Sequence, residues 1–150
     1  MNAKCDDLGR FTDAQNSIYS RVTAELAAGA KQSHWMWFIF PQVEGLGSSA
    51  MAQRYAIRSR SEAEAYLAHP LLGPRLVECT RLVLAVQDKS LRDILGVPDD
   101  AKFRSCMTLF DSISPGNVFA EALDRFCGGV RDAATVAFLK RSRLTPRSGE

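Results

Sequence analysis

HWMWFIFPQVEGLGSS, residues 34–49, decides how this chain must fold. Trp35 to Phe40 is an unbroken run of six apolar residues that holds both tryptophans of the protein, and Pro41 ends it ahead of a polar, glycine-rich loop. Residues two apart in a helix point to nearly opposite sides, so Trp35 and Trp37 share a face only in a strand. A strand needs a sheet to join, and no other segment shows sustained period-two alternation. A run that is apolar all round then belongs in a short helix buried on every side. Each buried indole N–H calls for a hydrogen-bond acceptor, so polar groups are expected at the centre of the domain.

The flanking sequence is helical in pattern. From Asp7 to Ala28 the residues Leu8, Phe11, Ala14, Ile18, Val22 and Leu26 recur every three or four positions, one amphipathic stripe closed by Gly29. Ser61 with Glu64 forms a capping box that opens a helix through Ala68, and His69-Pro70 stops it. Pro74 suits the first turn of the next helix, whose stripe is Leu76, Cys79, Val83 and Val86. Ser90 caps a brief helix closed by Gly96. Asp99 caps a longer one with Phe103, Cys106, Met107 and Phe110 inward and Pro115 beyond its end. Asn117 starts a helix that Gly128-Gly129 terminates, and a last one spans about Asp132 to Leu139. The expectation is an all-α, compact multihelical single domain over residues 1–139 with a buried central aromatic helix. Residues 140–150 read as a basic, disordered tail.

Composition narrows the function classes. With 46% hydrophobic and 24% charged residues in 150, the chain has the makeup of one globular domain. Its longest apolar run, six residues, falls far short of the roughly 18 that span a bilayer. With no membrane segment and no signal peptide at the start, a cytoplasmic location is expected. Residues 140–150 carry +3 of the net +2, leaving the body at −1, which argues against nucleic-acid recognition by the folded domain. Cys5, Cys79, Cys106 and Cys127 have no CxxC spacing and read as reduced thiols, the last three as core fillers. No cofactor motif stands out, and two histidines 35 positions apart with scattered cysteines give no metal-ligand spacing.

The polar residues near the aromatic run are the candidate site. Gln15 lies on or beside the inward stripe of the first helix, His34 opens the run, and Gln42 follows its terminating proline. These three either satisfy buried groups or line a pocket. In the second case Trp37 is an apolar wall or stacking surface, while Gln15, His34 and Gln42 orient a ligand. Ser48 and Lys102 would then meet an anionic group. Gly45-Leu46-Gly47-Ser48-Ser49-Ala50 matches G-x-G-x-x-A, but no strand runs into its glycines and the chain lacks βαβ alternation. The function that follows is a small-ligand-binding domain for an anionic or nucleotide-like molecule, extending to an enzyme on a nucleotide-like or glycosidic substrate. No acid–base pair supports the catalytic extension. The alternative is a protein interaction module without catalysis, and a third reading has the basic tail engage nucleic acid.

Several stretches carry a resemblance. Asp7-Leu8-Gly9-Arg10-Phe11, His34 through Gln42, Gly45-Leu46-Gly47-Ser48, Ala65 through Gly73 and Lys102 through Phe110 together resemble the domain of unknown function 1810 family. These are bacterial proteins sometimes labelled calpastatin. The resemblance covers about residues 7–139 and implies an all-α, multihelical fold with buried central helices, but no activity or catalytic residue. The calpastatin label belongs to long, flexible inhibitors and does not suit a compact chain. The Phe11-x-x-Ala14-Gln15 pattern is also similar to the NADAR family, which acts on ADP-ribose conjugates, although that family's fuller motifs are lacking.

Overall fold

A computed structural model describes the chain from residue 7 to residue 144, and these residues form ten helices. In order they are α1 (Gly9–Asn16), α2 (Tyr19–Ala27), α3 (Met36–Ile39), α4 (Ala50–Arg54) and α5 (Arg60–Ala68), then α6 (Leu72–Ala85), α7 (Leu91–Leu95), α8 (Asp99–Ile113), α9 (Val118–Cys127) and α10 (Ala133–Leu144). The one β-type pairing among the described residues is a single parallel bridge between Val43 and Ile57. The fold is all-α and multihelical, as expected.

The central helix is α8. Phe103, Cys106, Met107, Leu109 and Phe110 are fully buried, and α5, α7, α9 and α10 pack around it. Its Ser105, Thr108 and Ser112 hydroxyls donate to carbonyls one turn back, so these three are satisfied locally, whereas the buried Arg104 Nε on the same helix has no hydrogen-bond partner among the described residues. The aromatic run meets α8 edge-on, with the Phe40 and Phe103 rings 5.0 Å apart. Phe11, Tyr66, Phe110 and Phe119 form a second aromatic series with ring spacings of 5.0, 5.4 and 5.8 Å. Within the run, Trp35, Met36, Phe38, Ile39 and Phe40 are buried. Trp37 is only half-buried, so the short helix is covered on most sides rather than all.

Four expectations need correction. The stripe from Asp7 to Ala28 is two helices, because Ser17 and β-branched Ile18, poor helix formers, turn the chain out of helical geometry at Ile18 (φ −126°). The apolar period survives the break, which is why it reads as continuous. The cap of α5 is Ser59, whose side chain accepts from the Glu62 amide. Two overlapping Ser-x-x-Glu pairs exist, and the earlier prevails because Glu62 is drawn inward by Arg10. Asp99 is the first residue of α8 rather than its cap. The last helix continues to Leu144, so residues 140–144 of the expected tail are helical. Residues 145–150 and Cys5 lie outside the described residues. By contrast, Ser90 with Asp93 caps α7, Gly96 ends it at φ +85°, and Asn117 caps α9.

Candidate ligand-binding groove

The residues singled out in the sequence do not converge on one chamber. Trp37, Gln42 and Lys102 share a recess with Gly47 and Tyr55, but its interior is about 10 Å³, room for about one water. The Lys102 ammonium lies 5.6 Å from the Trp37 ring and 3.6 Å from the Asp99 carboxylate. Asp99 also takes Lys31, at 2.9 Å. His34 and Ser48 are exposed and do not line this recess. Gln15 is the one of the six that reaches the interior, at 1% exposure. Its amide donates to the Phe38 carbonyl at 2.7 Å and to the Tyr66 hydroxyl at 3.2 Å.

The indole argument holds, with a different acceptor. The Trp35 ring N–H donates to Glu25 on α2 at 2.9 Å, and the same carboxylate receives the Ser33 hydroxyl and the Gln32 and Ser33 amides. Partial burial is the largest single influence on Glu25 and pushes its pKa upward. The four hydrogen bonds together outweigh it and hold the group at about 2, against an ordinary 4.5.

A much larger concavity lies elsewhere. The outer face of α6, the end of α5 and the α8–α9 connection enclose an open groove of about 790 Å³. Leu67, Pro74, Val77 and Leu82 give it an apolar bed, while Arg75, Glu78, Arg81, Ser114 and Asn117 supply polar groups. Gly73 lies where α6 touches α5: a Cβ there would stand 2.1 Å from the Leu67 carbonyl oxygen, so only glycine permits this approach. His69 sets the start of α6, its Nδ1 accepting from the Leu71 and Leu72 amides at 3.0 and 3.2 Å.

Behind the groove wall, Gln15 reappears. Arg75 Nη1 donates to Gln15 Oε1 at 3.2 Å and to Asn16 Oδ1 at 3.1 Å, and its guanidinium lies 4.6 Å from the Tyr19 ring centre. The Tyr19 hydroxyl donates in turn to the Glu78 carboxylate. Burial first, and then that bond, raise the Tyr19 phenol well above its usual range, so it stays protonated. Burial also pushes the neighbouring Cys79 thiol up to about 12, and Cys106 is raised by the same cause. Both are protonated core thiols at neutral pH. Arg75, Glu78 and Arg81 escaped the sequence reading because charged residues three to six apart on one helix look like a solvated face. Glu25 escaped it because only the fold brings residues 31–35 back onto α2.

The chain is similar to a protein of known structure. The chain is 53% identical to the conserved hypothetical protein Rv1873 from Mycobacterium tuberculosis, whose crystal structure it matches with a TM-score of 0.88. That match covers 89% of this chain and 96% of the other. A family model described as "Protein of unknown function (DUF1810)" matches residues 5–139. No curated protein matches.

Proposed function

The chain belongs to the DUF1810 family, proteins of unknown function, and we propose that it is a small-molecule-binding domain whose ligand lies in the α6 groove. The observation that carries this reading is the concavity itself. At about 790 Å³ it falls inside the roughly 300–1,000 Å³ typical of small-molecule sites, and an apolar bed with a few polar groups is the usual lining. The recess beside Trp37 is nearly two orders of magnitude smaller. Gln15 keeps a part in this reading as a support for Arg75, and Trp37, Gln42 and Lys102 become packing and surface groups. Binding suits the wall better than turnover: its nearest thiol, Cys79, is protonated, and Tyr19 is engaged with Glu78.

An interaction module draws less support. The exposed large apolar residues, Met51, Leu71, Val97 and Val130, are spread over one helix and three different connections rather than gathered on one face. A thermal-shift screen against a metabolite and fragment panel tests the proposal. Stabilising compounds should appear for the natural protein and lose their effect in Val77→Trp, which fills the groove from a half-buried position. Compounds that stabilise both proteins equally would contradict it.

A further inference from the structure

Resting on that reading, we propose that the ligand is an amphipathic organic anion: an apolar body on the groove bed and a carboxylate, phosphate or sulfonate held by Arg75 and Arg81. Arg75 is built as an anchor. Two amide oxygens hold one of its terminal nitrogens and the Tyr19 ring backs the guanidinium, so its position is fixed before any ligand arrives. Both oxygens are neutral, so they orient the guanidinium without cancelling its charge. A carboxylate in either place would have made an ion pair and ended its use. The remaining N–H donors of Arg75 have no acceptor among the described residues, although the side chain lines the groove.

Two further observations give the same sign. Glu78 is the acid on the groove wall, and its carboxylate is already engaged by the Tyr19 hydroxyl. Arg81 makes no hydrogen bond or ion pair with any described residue and stands at the groove with its full charge. Two arginines against one engaged carboxylate leave the groove positive in a body whose net charge is −1 by sequence. Guanidinium groups bind carboxylate and phosphate through paired N–H donors, stronger than neutral hydrogen bonds. Gln15, on α1, is by this account a positioning residue: it touches Arg75 and not the groove.

A matched pair of fluorescent probes tests this on the full chain. 8-Anilinonaphthalene-1-sulfonate and N-phenyl-1-naphthylamine share an apolar body and differ in the sulfonate. The natural protein should bind the sulfonate about tenfold or more tightly, the size of a charge-assisted hydrogen bond or two. Arg81→Met, at an exposed residue without partners among the described residues, should lower the ratio of the two affinities while the Arg75 anchor keeps part of the preference. Gln15→Met should lower the ratio of the two affinities as well, a readout that general loosening would not move. Equal affinities in the natural protein, with both probes lost in Val77→Trp, would overturn the anion assignment and leave the groove standing. Absence of binding by both probes, or binding that survives Val77→Trp, would overturn the groove reading and this inference together.

Discussion

Glu62→Gln should be among the most damaging conservative substitutions in this protein. Arg10 on α1 is 8% exposed and Glu62 on α5 is 5% exposed, and they meet at 3.1 Å. The guanidinium also donates to the carbonyls of Arg54 at 2.7 Å, Ala56 at 2.8 Å and Asp7, while Glu62 accepts from the Arg58 amide at 2.8 Å. Replacing the carboxylate by an amide keeps the shape but leaves a buried cation facing neutral groups. Breaking one side of such a pair costs about 3–5 kcal/mol, and the shape retained by glutamine points to the lower end. For a chain of this length about 3 kcal/mol corresponds to roughly 6–12 °C in Tm. Glu64→Gln is the control. It removes the exposed pair with Arg60 at 3.3 Å and should cost no more than about 0.5 kcal/mol. The double variant Arg10→Met with Glu62→Leu should recover only part of the loss, because the Arg54 and Ala56 carbonyls then lose their donor. Urea unfolding measures all three. A Glu62→Gln protein within 1 kcal/mol of the natural one would refute the reasoning, as would equal costs at positions 62 and 64.

Further outcomes follow from the same packing. Gly73→Ala drives a Cβ against the Leu67 carbonyl and should lower stability by about 1–3 kcal/mol, read by thermal melting. Glu25→Gln tests the indole acceptor through pH. The folded-state pKa of Glu25 is lowered to about 2, so its contribution is present above the ordinary 4.5 and is lost as pH falls toward 2. Because the carboxylate is only partly buried and solvent screens it, the expected gap from the natural protein is only about 1 kcal/mol at pH 7, closing toward pH 2 in urea titrations. Trp35→Phe should leave a fluorescence that acrylamide quenches readily, from half-buried Trp37. Trp37→Phe should leave one that resists quenching, from fully buried Trp35.

Local signals in the sequence proved reliable wherever the physics was local. The Ser90–Gly96 and Asn117–Gly128 boundaries rest on caps and left-handed glycines that act within one turn, and the structure keeps both. The six-residue aromatic run had few places to go, and it lies against α8 as its composition demands. Where two local answers competed, the tertiary contact chose between them. Ser59 caps α5 instead of Ser61 because Glu62 is needed by Arg10, a residue 52 positions away. The candidate site shows the same divide. Gln15 was legible as a polar residue on an apolar stripe and does reach the interior. Its link to Arg75, 60 positions on, was not, because charged residues on α6 carry no sign of which neighbours will roof them. A groove made from one helix face, a helix end and a distant connection has no contiguous motif.

The most direct test of the central claim is to map a stabilising compound onto the backbone by NMR, following amide shifts as it is titrated. Binding in the α6 groove predicts the largest changes at Leu67, Val77, Leu82 and Asn117, with the amides of Trp37 and Gln42 unmoved. Changes centred on Trp37, Gln42 and Lys102 would contradict the account and return the ligand to the aromatic run.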